Sequence, residues 1–119
     1  MCFQMQRDSG LWYSVEYASF SVSSEADFYR LSVSGFSGDE GDAIAAPVKS
    51  LRRVNGRRFS TPDVDNDMNI YRCDDGITGW WFKNCARSTL NHDTNAYWNA
   101  VTDVYIYNVI STRMLVKLD

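Results

Sequence analysis

From Pro47 to Asn95 the chain is dominated by turn formers and polar residues, with no sustained apolar period. A stretch that long without regular structure survives in a compact domain mainly when it is cross-linked or functional. The whole chain has only 119 residues, which suits one domain with one modest core. Regular structure must therefore come from the flanks, and something must tie the middle down.

The flanks read as strands. Leu11–Val22 (LWYSVEYASFSV) is rich in Tyr, Phe and Val and alternates imperfectly. Asp27–Phe36 predicts a second strand with Tyr29, Leu31 and Val33 on one face. The intervening Ser-Ser-Glu-Ala makes the pair an antiparallel hairpin. SGDEGDAIAA turns on its glycines, and Asp42 is placed to N-cap one helical turn. The closing STRMLVKLD predicts a strand, with Met114, Val116 and Leu118 alternating against Leu115 and Lys117. There is no internal repeat and no linker, so residues 1–119 read as one unit.

Composition excludes several classes. At 45% hydrophobic and 23% charged, the chain is globular rather than disordered. A net charge of -3 without a basic tract argues against nucleic-acid binding. No apolar run reaches a transmembrane length, so no membrane is implied. The opening MCFQMQRDSG lacks the regions of a signal peptide. Export is therefore an inference from the cysteines. Cys73 and Cys85 can close a short loop and Cys2 is left over; with His92 as the single histidine there is no zinc spacing, and a disulfide is the better reading. Ser88, His92 and Asp93 lie near one another in sequence, but adjacency is not triad geometry, so no enzyme is expected.

Within the irregular stretch, FSTPDVDND carries Asp63, Asp65 and Asp67 at alternate positions, with no Lys or Arg among them. Three repelling carboxylates suit a hard cation such as calcium. An EF-hand is disfavoured, because Met68 stands where that loop needs Gly and no amphipathic helix flanks it. A solvated turn in which Asp and Asn cap their own backbone is the alternative.

Four segments, FYRLSVSGFSGDEGDAI, NGRRFSTPDVDND, GWWFKNCARSTLN and TRMLVKL, together resemble the fibrinogen C-terminal domain family, which includes ficolins, tachylectins, angiopoietins and tenascins. The resemblance extends upstream through DSGLWYSVEYASFSV and covers roughly the second half of the family's domain; its opening segment is absent. It implies an α+β fold: a small twisted antiparallel sheet, a long loop region braced by calcium and a disulfide, and few short helices. It implies Ca2+ held by the side chains of Asp65 and Asp67 and the carbonyls of Asn69 and Tyr71, with Asp63 a turn former or supporting residue. It implies a Cys73–Cys85 disulfide and a cis peptide at Asn84–Cys85, beside a ligand pocket of Trp81, Phe82, Asn84, Cys85 and Ala86. Many binding members carry His where this chain has Ala86, which removes a hydrogen-bonding group. Trp80 is read as core. The implied function is secreted, calcium-dependent recognition of acetylated sugars. The alternative is a receptor- or matrix-binding module, or an inactive partial domain whose exposed sheet edges favour association. The partner is thus a glycan or a protein.

Overall fold

The computed structural model describes residues 1–45, 52–67, 73, 78–92, 96–99, 105–106 and 109–117. Period-two alternation builds its main sheet. Strand β1 (Cys2–Arg7) buries Phe3 and Met5. Strand β2 (Trp12–Val22) buries Val15 and Tyr17, and β3 (Leu31–Gly38) buries Leu31 and Val33. The short strands β4 (Phe59–Ser60), β5 (Trp80–Trp81), β6 (Ser88–Thr89), β7 (Tyr97–Asn99) and β8 (Tyr105–Ile106) follow, and β9 (Val109–Leu115) ends the series. The order in the main sheet is β3-β2-β1-β9, antiparallel throughout. Phe3 sits between Val15 on one side and Met114 on the other.

The β2–β3 hairpin forms as the sequence predicts, but β3 starts at Leu31 rather than Asp27. Glu25–Asp27 make one turn of 3-10 helix, and Phe28 and Tyr29 both take left-handed φ angles of 53°. Tyr29 therefore leaves the face it was expected to share with Leu31 and Val33. Gly35 faces Ala18 across the hairpin at φ 73°; a Cβ there would lie 2.7 Å from the Ala18 Cβ. Strand β1 was not anticipated, although Phe3 and Met5 alternate with Gln4 and Gln6. The closing strand runs earlier than expected: it ends at Leu115, since it pairs with β1, and Leu118 lies outside the described residues.

The middle is irregular, as expected. Among the described residues it holds the pair β4–β5 and strand β6, which pairs with β7 beyond it in the set β6-β7-β8. Among the described residues the 3-10 turn is the only helix, so the α part of the expected α+β class is small. The expected helical turn at Asp42 is absent as far as Ala45. The Asp42 carboxylate instead caps a bend, accepting the N–H groups of Ile44 and Ala45 at 3.0 and 2.8 Å. It also accepts the Tyr17 hydroxyl. Burial pushes the Tyr17 phenol far above its usual range, and the bond to Asp42 adds to this.

One apolar cluster joins sheet and loops. Trp80, Phe82, Leu90 and Trp98 pack with Phe3, Met5, Val15 and Tyr17. The Phe3 ring meets Tyr17 edge-on at 5.9 Å and Trp98 at 5.8 Å. Trp98 is wholly buried, and its indole N–H donates to the Gly41 carbonyl at 2.7 Å.

The outer edge of β3 is covered at its start. The Leu31 N–H donates to the Arg57 carbonyl, and the Leu31 carbonyl accepts from Gly56. The Asn55 side chain serves the next free pair: its Oδ1 accepts the Val33 N–H at 2.9 Å and its Nδ2 donates to the Val33 carbonyl at 3.0 Å. At these two positions the edge has no free backbone group to offer another strand. Asn55→Ala should leave both Val33 groups without their protein partner and cost about 1–3 kcal/mol. A lower urea midpoint with an unchanged m-value would report it.

Candidate functional site

The acidic loop is organised by its own side chains. Pro62 and Asp63 form a tight turn closed by paired backbone bonds between Thr61 and Val64. The Thr61 hydroxyl donates to the Asp63 carboxylate at 2.7 Å, so Asp63 is a turn former. Asn66 then anchors the loop to β4: its N–H donates to the Ser60 hydroxyl and its side chain to the Phe59 carbonyl. Beyond it, the Asp67 N–H donates to Asp65 Oδ1 at 3.0 Å, and the Cys73 N–H donates to Asp67 Oδ2 at 2.9 Å. Asp65 and Asp67 are thus on one hydrogen-bonded bend, next to the disulfide.

Cys73 and Cys85 are bonded, with Cα atoms 5.4 Å apart and 12 residues of separation. Cys2 is free and half-buried. The two carboxylates are hard oxygen donors of the type calcium takes, and they fit that ion by chemistry. Asn69 and Tyr71, the expected carbonyl donors, lie outside the described residues. Among the described residues no group of three or more His, Cys, Asp or Glu side chains converges.

The expected pocket residues are placed as follows. Phe82 and Ala86 are in the core, at 2% and 5% exposure. The Ala86 carbonyl accepts the Tyr97 hydroxyl at 3.1 Å. Asn84 and Cys85 are half-buried, on a bend where the Lys83 N–H donates to the Cys85 carbonyl. Trp81 is half-buried, its ring edge-on to Trp80 at 5.2 Å. Its indole N–H donates to the Tyr29 carbonyl at 2.8 Å, and its ring meets Phe59 edge-on at 5.1 Å. Trp80 is buried in the core, as expected, with no partner for its indole nitrogen among the described residues. Ser88 is wholly buried, with its hydroxyl 3.5 Å from the Ala43 carbonyl.

Trp81 supports a cleft that the sequence reading did not identify. Glu25, Phe28, Tyr29, Phe59, Thr61 and Val64 line a cavity of about 300 Å³. Phe28 and Tyr29 stand 41% and 46% exposed. Two consecutive aromatic residues at left-handed φ are rare and persist only where neighbours over-determine them. Here the Phe28 carbonyl accepts the Phe59 N–H, and the Tyr29 N–H donates to Ser24. Arg30 bonds Asp27 through Nε and Nη2 and donates through Nη1 to the Gly56 carbonyl at 2.7 Å. Arg58 also reaches Asp27, at 3.4 Å. The hydrogen bond from Arg30, with the charges of Arg30 and Arg58, holds the Asp27 carboxyl below its usual range. Period two had assigned Tyr29 to the sheet. The adjacent pair Phe28–Tyr29, which puts one aromatic on each face of any strand, was the available signal against that.

With this geometry in hand, similarity to known proteins can be stated. The family model for the C-terminal globular domain of fibrinogen beta and gamma chains matches residues 1–110. Angiopoietin-4 of Bos taurus is 42% identical over 77 residues, which is 64% of this chain and 14% of that protein. Protein scabrous of Drosophila melanogaster is 37% identical over 106 residues, 86% of this chain and 12% of that protein. Among solved structures, the fibrinogen-like globe domain of human ANGPTL2 superposes with a TM-score of 0.73 at 27% identity, covering 93% of this chain and 54% of that one. A lamprey fibrin D-dimer complexed with the peptide ligand Gly-His-Arg-Pro-amide gives a TM-score of 0.78 at 23% identity, covering 98% and 46%, and shares the fold. The chain thus spans about half of these solved domains and a small part of the longer relatives.

Two outcomes are expected. Replacing Cys73 and Cys85 together by Ala should lower unfolding free energy by about 3 kcal/mol, measured by chemical denaturation. Because the folded Asp27 carboxyl titrates below its unfolded value, its contribution is present at neutral pH and lost as pH falls through the folded value. An acid titration followed at the Trp81 indole N–H resonance should show that loss, and Asp27→Asn should abolish the step.

Proposed function

This chain belongs to the family of fibrinogen C-terminal globular domains, and from that premise we propose that it is an extracellular, non-enzymatic recognition module whose ligand is a protein, a receptor or matrix component. The observation that carries this choice over acetylated sugars is the burial of Phe82 and Ala86, two of the five residues expected to wall the sugar pocket. A third, Trp81, directs its only polar group to the Tyr29 carbonyl. Phe28 and Tyr29 are the most exposed aromatic residues among those described, ahead of Trp12 and Phe36. Similarity to angiopoietin-4 and to tenascin-R of Rattus norvegicus, the latter 40% identical over 76 residues, supports the same reading. So does a fold neighbour solved with a peptide ligand. An oxidising, extracellular setting is where a Cys73–Cys85 bridge persists.

Calcium belongs to this reading as a structural ion. When bound, it would neutralise the paired charges on the bend. Asp65 and Asp67 would hold it through side-chain oxygens, with Asn69 and Tyr71 adding carbonyls. Asn66 and the Asp67–Cys73 contact fix that bend to β4 and to the disulfide, so the loop is oriented by the chain itself.

Two measurements test this. Calorimetric calcium titration of the oxidised protein should show binding of modest affinity. Asp65→Ala with Asp67→Ala should eliminate it, and should also remove the rise in Tm that calcium gives the unaltered chain. Binding to purified receptor and matrix ectodomains should persist in excess free N-acetylglucosamine. Retention on N-acetylated glycans that the free sugar displaces would instead establish the lectin reading.

A further inference from the structure

We propose that the cleft walled by Phe28, Tyr29 and Phe59 receives a cationic side chain, a lysine or arginine presented by the protein partner. The inference rests on the protein-ligand reading above and gives it a contact point. The cleft's volume, about 300 Å³, suits a single long side chain better than an extended surface. Three of its six lining residues are aromatic, and aromatic faces carry the negative end of the ring quadrupole that attracts cations.

Glu25 adds a full negative charge to the same cavity. Glu25 is exposed and makes no ion pair among the described residues. Its neighbour Asp27 is occupied by Arg30 and Arg58. Arg58 also lies over the Phe28 ring, 5.5 Å from its centroid, without lining the cleft; it shares the single Asp27 carboxylate with Arg30, so Glu25 offsets the remaining positive charge and is the one charged residue in the lining. The charge facing the cavity from its lining residues is therefore negative. The same chemistry recurs within the chain: Arg7 lies 4.4 Å from the Tyr13 ring centroid, and Arg113 lies 4.2 Å from that of Trp12.

The walls are set before any ligand arrives. Phe28 and Tyr29 are held left-handed, and their backbones are fixed by Phe59, Ser24 and the Trp81 indole. Phe59 is held edge-on against Trp81. A cleft so fixed loses little conformational freedom on binding, which favours affinity. It also keeps apolar rings in water at a cost, and a strained display of exposed aromatics is the pattern expected of a site.

The test uses the whole oxidised chain and two small probes, N-acetyl-arginine amide and its neutral isostere N-acetyl-citrulline amide, titrated by two-dimensional NMR. The arginine probe should shift the Trp81 indole N–H and the ring signals of Phe28, Tyr29 and Phe59. The citrulline probe should bind measurably more weakly. Glu25→Gln, an exposed change that leaves the fold intact, should weaken the arginine probe about threefold, the size of an exposed charge pair. Equal binding of both probes, shifts confined to other surfaces, or no shift at the highest soluble concentration would overturn the proposal. If a purified ectodomain binds the chain and Glu25→Gln leaves that affinity unchanged, the cleft fails and the protein-ligand reading stands. Displacement of the chain from glycans by free sugar would overturn the reading itself, whatever the probes do.

Discussion

A chain of hydrogen bonds starting at Tyr17 joins the two unlike parts of this molecule. The Tyr17 hydroxyl leaves the buried face of β2 and meets the Asp42 carboxylate. That carboxylate also takes the Ile44 and Ala45 amides. The Ile44 carbonyl accepts the amides of Val54 and Asn55, and the Asn55 side chain returns to Val33 on β3. The path thus runs from the sheet, through a loop, and back to the sheet's edge. A buried hydroxyl without a partner is costly, and here the acceptor for it also nucleates the loop that covers the strand. The segment after Gly38 is also held by the Trp98 indole at the Gly41 carbonyl and by burial of Ala43 and Ile44.

The aromatic residues do the corresponding work on the far side. Trp80 and Trp81 are neighbours on β5, and their rings meet edge-on at 5.2 Å. Trp80 fills the core, while Trp81 reaches across to the Tyr29 carbonyl. One two-residue strand therefore both closes the core and fixes a surface cleft. The acidic loop leaves the partner strand β4 and runs to the disulfide through the Asp67–Cys73 contact. Cleft, acidic loop and cross-link are consequently parts of one local structure around β4 and β5.

Much of this was legible in the sequence. The β2–β3 hairpin followed from alternation around a polar turn, the irregular middle from its lack of period, and the Cys73–Cys85 pairing from the family resemblance. The errors have physical causes. β1 is six residues long, and only Phe3 and Met5 mark its buried face, so its alternation is weak. Tyr29 has the right spacing for the face of Leu31 and Val33, but the 3-10 turn before it sends the backbone left-handed. Asp42 has the residue type of a helix cap and makes a cap's hydrogen bonds, yet the described chain does not go on into a helix. Burial along the motif read as ligand walls was not legible either: Phe82 and Ala86 are inside, while Trp81 is half-buried.

The sequence by itself determined the family, the main hairpin, the cross-link and the acidic loop, because each rests on residue type and spacing within a short segment. It also determined that the middle would need bracing. Only the tertiary structure decided that β1 lies at the centre of the sheet, that Phe82 and Ala86 are inside, and that Phe28, Tyr29 and Phe59 share a cleft with Glu25. Those outcomes depend on contacts between residues distant along the chain, such as Phe59 N–H with Phe28 and the Trp81 indole with Tyr29. Local pattern carries no information about which distant backbone group will satisfy a buried donor. The folded chain settles that, because each such donor must find an acceptor when water is excluded.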